Sequence, residues 1–199
     1  MKKRCIWASE GDPLYEEYHD SEWGTPVHDD IKLFEFLILE GAQAGLSWIT
    51  ILKKRENYRL AFDGFNPVKV AKYGEKKRAE LMGNPGIVRN GRKIDSAIRN
   101  ARVFLDIQKE FGSFDAYIWG FVGGKPVVHK FSAMGEVPPK TELSDIISKD
   151  LKKRGMNFVG STILYAFMQA VGMVNDHTTD CFRYAELIRA ELIRREVQE

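Results

Sequence analysis

Cysteine is scarce in this chain: only Cys5 and Cys181 occur, near opposite ends of its 199 residues. In a secreted protein they would read as one disulfide; in a cytosolic one, metal binding is the better reading. The opening stretch MKKRCIWASEGD has a basic tip but no apolar signal region, which argues against secretion. No apolar run is long enough to span a membrane. An excess of one charge is also missing. The net charge is +2, so any nucleic-acid-binding face has to be a local concentration of basic residues. Strict apolar–polar alternation, internal repeats and low-complexity segments are likewise wanting, which speaks against an all-β or repeat architecture.

Hydrophobic residues make up 44% of the chain, enough for a substantial core. The length suits one compact domain over residues 1–199. Most segments repeat their apolar residues every three or four positions, so the fold class expected is all-α. Asp29 or Asp30 can cap a helix through Leu39, and Ser47 another through about Phe62. Asn66-Pro67 reads as a cap followed by proline in the first helical position, with Gly74 as the stop. A helix through Leu81 meets the turn GNPGIVRNG. The next helix is marked by the stripe Ile94, Ala97, Ile98, Ala101, Phe104 and Leu105. Phe114–Val122 is short and aromatic, and Gly123–Lys140 reads as a loose surface excursion. Thr141 caps a helix ending at Gly155, Ser161 caps a buried one through Val171, and Arg183–Val197 reads as a charged terminal helix.

The chain is organised around LEGAQAGLSW, Leu39–Trp48. An apolar run from Leu33 ends on a carboxylate, Glu40, at the edge of a segment that must be buried. An acid there loses hydration, so its ionised form is costly unless a positive or hydrogen-bonding group meets it. By itself the stretch reads as an ordinary helix-loop-helix junction whose Glu40 merely caps a neighbour.

Three further constellations matter. Cys5, His19, His177 and Cys181 carry the donor types of a closed tetrahedral zinc site, and His177 and Cys181 are spaced to face one way on a helical turn. Spacing alone leaves the alternative open, two unrelated cysteines and two surface histidines. The turn from Gly83 to Arg92 lies between two helices, where backbone N–H groups and a helix N-terminus suit phosphate, and Arg89, Arg92 and Lys93 add charge. An ordinary helical hairpin with solvated arginines would look the same. Trp7, Tyr15, Tyr18, Trp23 and Trp48 cluster in sequence near the proposed ligands or near Glu40. Flat aromatic walls with one carboxylate suit a planar cationic base, although core packing is the default for any single ring.

Taken in order, the blocks CIWASEGDPLYEEYHDSEWG, LEGAQAGLSWITILKKRENYR, PGIVRNGRKI and LKKRGMNFVGSTILYAFMQAVGMVNDH, with Cys181 after them, closely resemble the 3-methyladenine DNA glycosylase I family over residues 4–181. The resemblance implies the helix-hairpin-helix DNA glycosylase fold, with a zinc site joining the two ends of the matching region. It places the zinc ligands on Cys5, His19, His177 and Cys181. It makes Glu40 the pocket acid, with Tyr18, Trp48, Trp7 and Tyr15 as the aromatic base-binding residues. Gly45 and Leu46 on the loop, and Gly86, Arg89, Arg92 and Lys93 on the hairpin, become the expected DNA contacts, with Leu46 as the wedge that unstacks a base step. The implied activity is excision of N3-methyladenine from double-stranded alkylated DNA, with N3-methylguanine a poorer substrate and free 3-methyladenine as product.

Two departures bear on mechanism. Val88 stands where many hairpin relatives have a second glycine, and Asn90 where bifunctional relatives have a lysine nucleophile. The second argues for base removal without strand cleavage. Asp106 is too weakly placed to be taken as the superfamily's catalytic aspartate. Residues 182–199 fall outside the motifs. The competing readings are a non-catalytic damage sensor, and a zinc hydrolase or deaminase. Four protein ligands would close the zinc against hydrolytic work, and the deaminase signature is absent. A cytoplasmic monomer is expected.

Overall fold

The computed structural model describes residues 2–8 and 11–196. It is predominantly helical: α1 (Pro13–Ser21), α2 (Asp30–Gln43), α3 (Trp48–Leu52), α4 (Arg55–Ala61), α5 (Pro67–Val70), α6 (Glu75–Gly83), α7 (Gly91–Phe111), α8 (Phe114–Gly120), α9 (Glu142–Lys153), α10 (Ser161–Ala170) and α11 (Phe182–Glu196). Strand structure among the described residues is one two-residue parallel ladder, β1 (Val127–Val128) on β2 (Val174–Asn175). Among those residues no helix is long and apolar enough to cross a membrane.

Local chemistry sets most of the boundaries. Asp29 starts α2 by accepting from the Lys32 N–H at 2.8 Å. Asn66 caps α5 ahead of Pro67, and Thr141 and Ser144 close a reciprocal capping box on α9. Helix α2 is apolar nearly all round, as a central helix must be, and packs against α3, α7, α8 and α10.

The structure departs from the periodicity in four places. The helix expected from Ser47 to Phe62 breaks at Lys53-Lys54 into α3 and α4. The break brings Arg55, 5% exposed, onto Glu35 (Nε–Oε1 2.6 Å) and Glu22 (Nη1–Oε2 2.7 Å). Glu35 thus sits inside the apolar run of α2 as a buried but paired carboxylate, unlike Glu40. Ser161 is the first residue of α10 and not its cap; Gly160 holds that position, and the Ser161 hydroxyl is engaged with Asp145. Residues 123–140 do run over the surface, with none of them buried, but they are not loose: β1 ties them to β2 and their later part edges a cavity. The terminal helix begins at Phe182, and the Val197 end expected for it lies outside the described residues.

Candidate functional site

Helix α2 delivers Glu40 one turn before its C-terminus, and α3 starts with Trp48 after a short loop. Trp7 comes from the N-terminal segment, Tyr15 and Tyr18 from α1, and Trp23 from the residues just after it. These six line a single cavity of about 410 Å³, within the usual range of about 300–1,000 Å³ for small-ligand sites. Trp7 and Tyr15 lie 4.9 Å apart between ring centroids, Trp7 and Trp23 5.1 Å, and Tyr18 and Trp48 5.4 Å. The aromatic residues singled out from sequence therefore form one continuous lining.

Two atoms in that lining stand out. The Glu40 carboxyl oxygen Oε2 and the Trp48 indole Nε1 are both buried with no hydrogen-bond partner among the described residues. Buried polar atoms are nearly always paired, because leaving one unmet costs about 1–3 kcal/mol. Burial pushes the Glu40 carboxyl up to about 8, and no cation approaches to pull it back. The Tyr18 hydroxyl is raised well above its ordinary value by burial and by the nearby Glu40 carboxylate. An acceptor and a donor held dry between aromatic faces form a site prepared for a flat, polar, electron-poor ligand.

Other wall residues were not legible in the sequence. Gln43 follows Glu40 on α2. Met134, Val137, Pro138 and Pro139 come from the segment read as a surface excursion, and Thr162, Tyr165, Ala166 and Gln169 from α10. Their spacing on α10 places them along one helix face.

Cys5, His19, His177 and Cys181 do come together, fully buried, with one donor atom from each lying within 4.8 Å of the others. Cys181 Sγ is 3.4 Å from His19 Nε2 and 3.5 Å from His177 Nδ1, and Cys5 Sγ is 3.5 Å from His177 Nδ1. Each histidine's other nitrogen is held from behind, His19 Nδ1 by Asp20 Oδ1 at 2.8 Å and His177 Nε2 by the Trp23 carbonyl at 3.0 Å. That fixes which nitrogen faces the cluster, as outer partners do around metal ligands. The hydrogen bond from Cys5, with those from His177 and His19, draws the Cys181 thiol far below its ordinary value. Cys181 and burial together push Cys5 up. The cluster can hold a metal ion, and Trp23 and Trp7 join it directly to the aromatic cavity.

The hairpin and the loop lie together. Arg89 and Arg92 are exposed and make no ion pair among the described residues. Leu46 is 42% exposed, after Gly45 at φ +78°. Two of the expected DNA contacts have other partners. Lys93 turns back and donates to the carbonyls of Ala42 and Ala44, each at 2.7 Å, completing the C-terminus of α2. Gly86 gives its N–H to Asn84 Oδ1 at 2.8 Å, and a Cβ there would come within 2.9 Å of Asn57 Cβ. Its glycine is needed for close packing on α4. Asn90 caps α7 by accepting from the Lys93 N–H.

A family model described as methyladenine glycosylase matches residues 7–184. DNA-3-methyladenine glycosylase 1 of Escherichia coli (strain K12) is 51% identical over 182 residues, which are 92% of this chain and 97% of that protein. The crystal structure of a 3-methyladenine DNA glycosylase I aligns with a TM-score of 0.88 at 50% identity, covering 90% of this chain and 98% of the other. A crystal structure of a 3-methyladenine DNA glycosylase I variant in complex with 3-methyladenine aligns at 0.87 and 36% identity, covering 90% and 96%.

Proposed function

The chain belongs to the methyladenine glycosylase family, and from that premise we propose how its own residues carry out the work. Its activity is excision of N3-methyladenine from alkylated DNA by hydrolysis of the N-glycosidic bond, a step of base excision repair. The observation that carries the site assignment is the partnerless Glu40 carboxyl oxygen beside the partnerless Trp48 indole nitrogen, both in the lining of one aromatic cavity. N3 alkylation makes the base cationic, so it supplies what Glu40 lacks, positive charge and a hydrogen-bond donor. Trp48, Tyr18, Trp7 and Tyr15 receive its faces and edges, and Trp48 stacks.

The base must leave the duplex before its glycosidic bond is reachable. Leu46 is the wedge that enters the gap. Arg89 and Arg92, with the uncapped N–H groups at the start of α7, grip phosphate. The α6–turn–α7 hairpin supports the helix-hairpin-helix reading, in which Gly86 and Lys93 also help to build the hairpin itself. A methylated base is already a good leaving group, so the pocket selects it and stabilises the sugar cation as the bond stretches. Asn90 is occupied as a helix cap and is no amine nucleophile, in keeping with base removal that leaves the strand intact.

We read the Cys5–His19–His177–Cys181 cluster as a structural zinc site. A tetrahedral zinc with bonds of about 2.0–2.3 Å separates its ligand atoms by about 3.5 Å. The three nitrogen–sulfur distances of 3.4–3.5 Å fit that spacing. Bound there, zinc would join the N-terminal segment and α1 to the stretch before α11, and four protein ligands leave it no open position for hydrolysis. We place the protein in the cytoplasm, as a monomer of one glycosylase domain carrying α11 as a C-terminal extension.

The test is incubation with methylated duplex DNA followed by chromatography of the released bases. Free 3-methyladenine should appear, and strand breaks only after heat or alkali. Tight binding to alkylated duplex without release would make the chain a damage sensor.

A further inference from the structure

Helix α10 contributes Gln169 to the cavity, and behind it lies Asp176, 1% exposed, just after β2. Asp176 Oδ2 accepts from the Tyr165 hydroxyl at 2.5 Å and from Gln169 Nε2 at 2.8 Å, while Oδ1 meets His129 Nδ1 at 2.6 Å. The Gln169 amide also lies against the Tyr165 hydroxyl. Asp176 Oδ2 and the Tyr165 oxygen thus both face the nitrogen end of the amide. The carbonyl oxygen of Gln169 is then the polar atom left over. It makes no hydrogen bond among the described residues, and the half-buried side chain lines the cavity that also holds Glu40.

We propose that Gln169 Oε1 is a second acceptor for the amine edge of the bound base, alongside Glu40, and that Asp176 is the positioning residue that sets which end of the amide the base meets. A free glutamine presents donor and acceptor with nearly equal ease and reads neither. Clamped by Asp176, itself held by His129, it presents only the acceptor. An amino group at position 6 of the purine is then met by a lone pair, and an oxo group there meets another oxygen. The pocket thereby discriminates by hydrogen-bond polarity as well as by charge and shape. This inference rests on the base-binding reading of the cavity.

The experiment measures Kd for two free bases of nearly one shape, 3-methyladenine and 3-methylhypoxanthine, which differ in amine against oxo at position 6. The metal-loaded protein is used throughout, with metal content measured for each variant. Wild type should prefer the amine. Gln169→Leu should narrow that preference about tenfold, the worth of one hydrogen bond. Gln169→Glu, which keeps an acceptor, should retain it. Asp176→Asn leaves Gln169 in place but can meet either end of its amide, and should narrow the preference too. If Gln169→Leu weakens both bases equally, or leaves both unchanged, Gln169 is wall and the proposal fails. Because Gln169 lies outside the metal cluster, its two variants decide the matter even if Asp176→Asn loses metal through the neighbouring His177. Failure of wild type to bind 3-methyladenine at all would instead strike the reading of the cavity.

Discussion

Glu35 and Glu40 lie on the same buried helix, both 4% exposed, and among the described residues only the first has cationic partners. Glu35 meets Arg55 and Arg59, whereas one Glu40 carboxyl oxygen meets nothing. The contrast separates a carboxylate tied into the fold by ion pairs from one left open, which we propose receives the base.

The unpaired state of Glu40 has a measurable pH signature. Its carboxyl is raised from an ordinary value of 4.5 to about 8 by burial. Between those values the folded protein keeps a proton that the unfolded chain has released, so stability falls as pH rises through that window, by at most about 1.4 kcal/mol per pH unit. Glu40→Gln removes the penalty. Its Tm should match wild type near pH 4.5 and exceed it above pH 8. Parallel Tm curves would show that Glu40 is ionised or hydrated in the folded state.

The same variant should slow excision. Gln keeps the shape of Glu40 but loses its charge and adds a donor. Single-turnover release of 3-methyladenine should fall modestly, by less than about 10²-fold, with binding to undamaged duplex intact, because this leaving group needs little help. A larger loss with free-base binding unchanged would assign Glu40 to the sugar cation or the attacking water. Unchanged release and unchanged base binding would remove it from the site.

Elemental analysis should find one zinc per chain. Cys181→Ala should lose it and lower Tm on the order of 10 °C, taking a loss of a few kcal/mol and about 2–4 °C per kcal/mol for a chain of this size. The surviving folded fraction should still release base. Metal-free wild type with an unaltered Tm would end the structural-zinc reading.

The arginines of the hairpin should contribute affinity without base choice. Phosphate contacts carry no sequence information, and each one lost reduces the salt slope by about 0.9. Arg89→Ala with Arg92→Ala should therefore weaken binding to damaged and undamaged duplex alike and flatten the slope by up to about 2. A slope equal to that of wild type would move the phosphate surface elsewhere.

What could be read from the chain was what local chemistry dictates. The caps at Asp29, Asn66 and Thr141 stand where their side chains placed them. The four metal-type ligands were visible as residue types, but spacing could not pair Cys5 with a histidine at position 177; the family resemblance did that. Glu40 was marked by its position at the end of an apolar run. Its neighbour Glu35 was not, because its partners Arg55 and Arg59 reach it only through the break at Lys53-Lys54. The α10 wall was hidden for the same reason. In YAFMQAVG, Gln169 looks like one polar residue on a helix, and only the fold brings Asp176 behind it. Pro138 and Pro139 read as loop because proline marks chain that is not helical, and says nothing about whether that chain borders a cavity.

The two bonds from Lys93 to the Ala42 and Ala44 carbonyls have a consequence for how damage is found. They splice the first turn of the hairpin helix to the last turn of the helix bearing Glu40, a few residues from Leu46. On the DNA-binding reading proposed above, phosphate is held at one side of this splice and Leu46 enters the duplex at the other, so the spacing between them is a fixed gauge. On that reading a stretch of duplex is tested at one register. Loosening the gauge with Lys93→Met would blur that register, so the protein would pause at undamaged steps while its grip on phosphate stayed the same.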